Sequence, residues 1–345
     1  MISKSDIKKL VAVCKKNEHN FWIFVIVENP KIAEKSNNSG FLYPKELADL
    51  VYGFFDASSK VKIFSSTQDF LNFISSDSYK EIADEPALIY SLSQDGHDIL
   101  RRARLPIIAE FLGNKSHSLI ASPYLLELLQ DKAKYYQLAN LICPTPQTTV
   151  VANQQFFGST EFPGNSVVLK PALESSTYGI KKIENDYSSV KTAALHMNNI
   201  LQQDIIIQEY IEGTEVMVPV INNDSKKQAF PPVTVTYNGD MLNSSIEYNE
   251  AYQLKPYQAS ESLLHKLGDY AEKLATFFHA EGITRYDFIV NQDKVYLMDI
   301  AALPVLSHTS SVWESFGILS ENPVDIFKIL IGSAMLSNPF FKIAD

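Results

Sequence analysis

In the first third of the chain, apolar residues repeat with a helical period, then run continuously, then repeat helically again. That alternation admits few folds besides an α/β unit with a largely parallel sheet. A helix is predicted over 2–16 and a continuous apolar strand over 21–27. A second helix is predicted over 43–55, where Leu47, Leu50, Val51 and Phe54 share one face. Strands follow at 61–64 and 86–92 with a short helix at 69–75 between them, and the Asp95-Gly96 pair breaks the pattern. The unit closes near Ile120. Ser122 and Pro123 supply an N-cap and a first-turn proline for a helix running to about 139, which Pro144 and Pro146 stop.

The region 148–220 reads as a small α+β unit, with strands at 167–169 and 205–208 and a helix at 188–202 between them. A polar, exposed turn is expected at 222–227, and 230–236, with its two prolines, reads as an edge strand. The longest helical pattern spans 260–280, with Leu263, Leu267, Tyr270, Ala271, Leu274 and Phe278 on one face and Gly282 ending it. A hairpin closes the series, with strands at 285–290 and 294–300 around a turn at 291–293.

Composition removes several function classes. A formal charge of −10 argues against general nucleic-acid binding by phosphate neutralisation. The apolar run at 21–27 is too short to span a bilayer and has no cleavage site after it, so neither a membrane anchor nor a leader is expected. Two cysteines, Cys14 and Cys143, make neither a disulfide framework nor a metal knuckle, and the expected compartment is a reducing cytoplasm.

Three segments carry chemistry. In VVLKPALESSTYGI, 167–180, a buried strand ends in Lys170, and a loop with Glu174, Ser175, Ser176, Thr177 and Gly179 follows. Such a loop offers amides and hydroxyls to phosphate oxygens while the ammonium adds a point charge. A strand-end lysine before a solvated turn is the plainer alternative. In IIIQEYIEGTEVMV, 205–218, Gln208 and the backbone through Ile211 can read an adenine edge and Glu215 can accept from ribose hydroxyls; two strands with acids facing solvent would look the same. In the hairpin, period two puts Arg285, Asp287 and Ile289 on one face, and Asp299 closes the apolar run VYLM, a costly place for a lone carboxylate. Two carboxylates on adjacent strands are how an oxygen-ligand site holds Mg²⁺. An Arg285–Asp287 ion pair of purely structural value is the alternative. The chain has four arginines, of which Arg101, Arg102 and Arg104 cluster and Arg285 stands alone.

Together these segments, with LIYSLSQDGHDILRRARLPIIAEFLG at 88–113, resemble the ATP-grasp carboxylate–amine ligases, and within them the D-alanine–D-alanine ligase-like branch. The likeness runs from about 86 to 311. It implies an α/β (α+β), three-lobed ATP-grasp fold: an N-terminal parallel α/β lobe over 1–122, a small central lobe over 123–212 and a C-terminal lobe over 213–345, with nucleotide between the last two. It makes Lys132 and Lys170 the ATP-phosphate lysines and the loop Glu174, Ser175, Ser176 and Thr177 a flap over the phosphates, with Ser176 also approaching substrate. Gln208, Glu209 and Ile211 fall at adenine-contact positions and Glu215 at the ribose carboxylate. Arg285 matches the arginine that steadies the transferred phosphoryl, Asp287 and Asp299 match Mg²⁺ carboxylates, and Ser310 with Ser311 matches the turn binding the acceptor's carboxylate. His308 lies beside that turn, where it contacts substrate or is a solvated imidazole. The implied reaction joins a small-molecule carboxylate to an amine or amino acid at the expense of ATP, through an acyl phosphate, in a homodimer formed through the first lobe.

The chain departs from the pattern in places. Asp299-Ile300-Ala301 stands where the family has Glu-x-Asn, and Val305 follows Pro304 where it has glycine. Ser175 replaces a usual glycine, and no lysine occurs between Gln228 and Leu254, where D-alanine ligases keep one. The segment ENPKIAEKSNNSG, 28–40, lacks the acidic first-substrate motif, so a substrate pair other than two D-alanines is expected. A degenerate relative acting as a nucleotide-binding or regulatory partner is the alternative.

Overall fold

The computed structural model describes residues 1–27, 42, 44–93, 99–112, 116–175, 177–224, 226–239, 242 and 251–337. The expectations for the segment 28–40, the Asp95-Gly96 turn and Ser176 lie outside the described residues. The molecule is a mixed α/β fold, with one parallel and two antiparallel sheets among the described residues.

The parallel sheet has the order β2-β1-β3-β4, from β1 (Trp22–Ile26), β2 (Val61–Phe64), β3 (Ala87–Ser91) and β4 (Ser116–Ser118). Its central strands carry no polar face: four residues of β1 and all five of β3 are buried, because helices cover both sides. The helix Lys4–Asn17 begins with a capping box between Ser3 and Asp6, and Pro44–Ala57 packs Phe54 against Phe327 of the helix Asp325–Ser337, ring centroids 5.0 Å apart.

The second sheet is antiparallel, β6-β5-β9-β7-β8, from β5 (Thr148–Ala152), β6 (Gln155–Phe157), β7 (Ser166–Pro171), β8 (Lys181–Glu184) and β9 (Ile205–Glu209). Apolar side chains of β5, β7 and β9 bury against the helix Tyr187–Leu201. The strands β5, β6 and β8 are additions to the sequence reading, which found no period-two run there. The third sheet contains β10 (Thr214–Asn223), β11 (Lys226–Ala229), β12 (Val233–Tyr237), β13 (Tyr252–Pro256), β14 (Ile283–Asn291) and β15 (Lys294–Ala301), ordered β13-β12-β10-β14-β15 with β11 also on β10.

Four expectations are corrected. The helix expected from 123 to 139 is two, Pro123–Gln130 and Lys132–Ala139, broken at Asp131 (φ −84°, ψ 92°), which frees the Lys132 amide to donate to Ala172 O at 3.1 Å. The strand after the prolines is interior, since Pro231 and Pro232 precede β12 and remove no ladder bond; the edge is β13. The turn expected over 222–227 is narrower: the chain reverses between Asn223 and Lys226, with Asp224 (φ 58°) and Lys226 exposed, whereas Asn222 and Asn223 are buried on β10, donating to Ser337 Oγ (2.7 Å) and Gln228 Oε1 (2.6 Å). The long helix, Glu261–Phe277, ends before Gly282; His279 takes the left-handed conformation (φ 54°) that follows it. Gly282 (φ +65°) instead lies where an added Cβ would stand 2.6 Å from Leu119 O.

The helices Lys4–Asn17 and Asp325–Ser337 meet at Gly332, where an added Cβ would lie 2.9 Å from the Leu10 carbonyl carbon and closer still to its oxygen. Backbone cannot yield there as a flexible side chain does. Gly332→Ala is therefore expected to lower unfolding free energy by about 1–3 kcal/mol, the usual cost of overpacking. A urea midpoint equal to wild type would contradict this packing.

Candidate functional site

The two antiparallel sheets and the paired helices 123–139 bring six of the anticipated charges, Lys132, Lys170, Glu215, Arg285, Asp287 and Asp299, into mutual range. Lys170 is the penultimate residue of β7; its pKa is pushed down to about 8 by burial, with Lys132 adding to the fall while Asp299 and Glu215 oppose it. Glu215, on β10, is raised by burial and by Asp287, against the hydroxyl of Tyr237 (2.6 Å to Oε1), Lys170 and Arg285. Each of these groups feels the others because little water separates them.

On the hairpin, Asp287 and Asp299 are register partners across β14 and β15, and the ladder slips between Asp287 and Phe288, so the bulge falls at Met298. The side chains of Arg285 and Asp287 form a two-pronged pair, Nε to Oδ1 and Nη2 to Oδ2, each 2.7 Å, and Arg285 Nη1 donates to Ser311 Oγ at 3.3 Å. Burial raises the Asp287 pKa despite that cation. Asp299 moves the other way: burial opposes ionisation, but Lys132 (3.8 Å), the Tyr135 hydroxyl (2.5 Å), Lys170 and the Ile300 amide (3.0 Å) outweigh it.

Lys132 opens the helix Lys132–Ala139, and its ammonium donates to Glu174 O at 2.6 Å. The loop it touches is tethered at several atoms. Arg101 Nη2 donates to Leu173 O (2.9 Å) and Glu174 Oε2 (3.4 Å), Gln203 Nε2 to Glu174 Oε1 (2.9 Å), Gln130 to Leu173 O, and Arg102 Nη2 to Ser175 Oγ (2.9 Å). Thr177 adopts φ 55°, a left-handed conformation that turns the loop. Gln208 is buried and donates to Thr148 Oγ1 (2.9 Å), while Glu209, on the opposite face of the strand, accepts from the Gln147 amide (3.1 Å); one binding surface cannot take both side chains. Ile211 is half-buried beyond the end of β9.

Ser310 caps the helix Ser311–Gly317, its Oγ accepting from the Trp313 amide at 3.2 Å. His308 is no free loop imidazole: its Nδ1 and backbone amide both meet Asp49 Oδ2, at 2.5 and 2.9 Å, which ties the turn to the helix Pro44–Ala57. Sequence reasoning missed Tyr135, Tyr136, Arg101, Arg102, Gln203 and Asp49 as parts of this arrangement. The arginine cluster was a visible signal without a visible destination, whereas Tyr135 and Tyr136 lie inside the predicted helix with no local pattern to mark them.

As a binding surface the arrangement offers ammonium and guanidinium groups beside a loop of amides and hydroxyls, which suits a polyphosphate. Among the described residues no group of three or more His, Cys, Asp or Glu could hold a metal by itself. The facing carboxylates of Asp287 and Asp299 nevertheless fit Mg²⁺, a hard ion that takes one or two carboxylates and completes its shell from phosphates and water. The Lys170 ammonium should bind phosphate only while protonated. Nucleotide affinity is therefore expected to hold below pH 8 and to fall about tenfold per pH unit as pH rises above it, the slope for losing one proton. Titrating ATP at pH 7 and pH 9 checks this; equal dissociation constants would contradict it.

The family profile described as D-ala D-ala ligase C-terminus matches residues 145–327, more than half of the chain. A D-alanine–D-alanine ligase of Petrotoga mobilis is 25% identical over 215 residues, covering 61% of this chain and 68% of that protein. One from Flavobacterium johnsoniae is 24% identical over 145 residues, 42% of this chain and 44% of its own length, so the match spans less than half of that relative. Among solved structures, the D-alanine–D-alanine ligase of Bacillus anthracis complexed with ATP superposes with TM-score 0.65 at 14% identity, over 91% of this chain and 97% of the other.

Proposed function

The chain belongs to the D-ala D-ala ligase C-terminus family, and from that premise we propose that it is an ATP-dependent carboxylate–amine ligase working through an acyl phosphate, with three lobes over 1–122, 123–212 and 213–345. The observation carrying the proposal is the convergence of Lys132, Lys170 and the loop residue Glu174 with Arg285, Asp287 and Asp299 from the third sheet. Lys132, Lys170 and the loop hold the phosphates, Glu215 accepts from the ribose, and Ser310 with Ser311 receives the acceptor's carboxylate. Arg285, which donates to Ser311 Oγ, would meet charge developing on the transferred phosphoryl as well as on the acceptor side. Mg²⁺, held by Asp287 and Asp299, would offset phosphate charge.

The first substrate's carboxylate oxygen attacks the γ-phosphorus and ADP departs; the amine of the second substrate then displaces phosphate from the acyl carbon. The segment 28–40, which contains Glu28 and Glu34, does not match the family's acidic first-substrate motif, which supports a pair other than two D-alanines. A panel of carboxylates and amines incubated with ATP and Mg²⁺ should contain a pair that releases ADP and phosphate in equal amounts. ATP binding with no release from any pair would instead favour a nucleotide-binding relative without ligase activity, a reading to which the closed Arg285–Asp287 fork lends support.

The metal site yields a prediction. Ala301 pairs with Arg285 across the hairpin and supplies no side-chain oxygen. One Mg²⁺ should bind firmly and a second weakly or through water, and Ala301→Asn should raise Mg²⁺ affinity in the nucleotide complex several-fold. Unchanged or weaker Mg²⁺ binding in a titration would refute this.

A further inference from the structure

Arg101, Arg102 and Arg104 are close in sequence but have different fates. Arg104 is exposed; Arg101 is buried and occupied with the Leu173 carbonyl and the Glu174 carboxylate. Arg102 is half-buried, and its Nη2 donates to the neutral hydroxyl of Ser175 at 2.9 Å. Both contacts issue from the end of a 3-10 turn, Ile99–Arg102, packed on the helix Pro123–Gln130, where the Ala103 amide donates to Glu127 Oε1 at 3.0 Å. The turn is thus fixed to the same pair of helices that carries Lys132. Burial, and Arg101 beside it, draw the Arg102 pKa down to about 10, against attraction from Glu174, Glu127 and Asp299. The group stays a cation at neutral pH, partly desolvated, with a like charge for a neighbour and a hydroxyl for a partner. Such a cation gains more from a polyanion than one already matched to a carboxylate.

The geometry points to Arg102 as a further catalytic residue, one that binds the equatorial oxygens of the transferred phosphoryl group from the Ser175 side of the loop. This rests on the reading of the site as a phosphoryl-transfer centre. In the step itself the bond from the bridging oxygen to the γ-phosphorus breaks, ADP leaves with that electron pair, and the carboxylate oxygen forms the new bond to phosphorus. No proton moves to or from Arg102, whose planar fork meets two oxygens as their charge changes. Arg101 then serves as the loop's anchor.

The test uses the full chain, MgADP, and aluminium fluoride as a planar stand-in for the transferred phosphoryl. Wild type should bind MgADP more tightly with fluoride than without. Arg102→Ala should keep the affinity for MgADP alone and lose most of the fluoride gain, about 10²-fold, as for removal of one transition-state donor. Arg102→Lys should recover part of that gain, and so should guanidinium ion added to Arg102→Ala. Fluoride gains equal to wild type in both variants would overturn the assignment. If Arg102→Ala also loses MgADP binding, recovery of the gain by guanidinium supports the assignment and its absence overturns it. Failure of wild type to bind MgADP would overturn the phosphoryl-transfer reading itself, and this assignment with it.

Discussion

Arg285→Ala is expected to lower turnover by about 10²–10³-fold, the range for removing one preorganised donor from a developing oxyanion, while ATP affinity changes far less. The side chain links two groups of the proposed site. Its Nε and Nη2 hold both Asp287 oxygens and its Nη1 reaches Ser311, so one planar group couples the carboxylate proposed to hold Mg²⁺ to the turn proposed to receive the acceptor. Alanine would leave Asp287 without its main counter-charge, and some of the lost turnover would reflect a carboxylate that takes up a proton more readily, since burial already raises its pKa. Arg285→Lys separates the effects: it keeps the charge and loses the fork. Turnover of Arg285→Lys should therefore fall well below wild type although the net charge is the same. Full turnover by the lysine variant with a productive substrate pair would remove Arg285 from its assigned role.

Lys170→Ala is expected to weaken ATP binding by about 10–100-fold, the equivalent of one hydrogen bond to a charged group at roughly 1.5–3 kcal/mol. Folding should respond differently from binding. Burial is the largest influence on the Lys170 pKa and it disfavours the ammonium, so the apolar isostere in Lys170→Met should fold at least as stably as wild type at neutral pH while binding ATP as poorly as the alanine variant. A role confined to packing would show the reverse, with lost stability and retained affinity. Calorimetry of ATP binding beside urea denaturation of the same two variants decides between these, and an unchanged ATP dissociation constant in either would sink the assignment.

Local pattern made part of this arrangement readable. The run at 61–64 is a strand of the same bounds in the structure, and alternation along Arg285, Asp287 and Ile289 is enough to put a cation and a carboxylate on one face. The mixed α/β class followed from the change of period along the first third of the chain. What escaped depends on contacts between residues distant in sequence. Arg101 reaches Leu173 and Arg102 reaches Ser175, separations of 72 and 73 residues that no period encodes. Tyr135 reads as an apolar position on a helix, and only folding shows that its hydroxyl meets Asp299, 164 residues away. The break at Asp131 escaped for a related reason: the residue itself tolerates a helix, and the competing bond from the Lys132 amide to Ala172 exists only once the second sheet is in place. The prolines before β12 misled in the opposite direction, since they fall outside the ladder whose edge they seemed to mark.

Transfer of oxygen from carboxylate to phosphate tests the central claim most directly. The acid that supports ADP release is prepared with ¹⁸O in its carboxylate and turned over with unlabelled ATP, Mg²⁺ and its amine, and the phosphate is analysed by mass. A ligase passing through an acyl phosphate must return one carboxylate oxygen with each phosphate released, so singly labelled phosphate is the predicted product. Phosphate with no label, formed alongside ADP, would contradict the account.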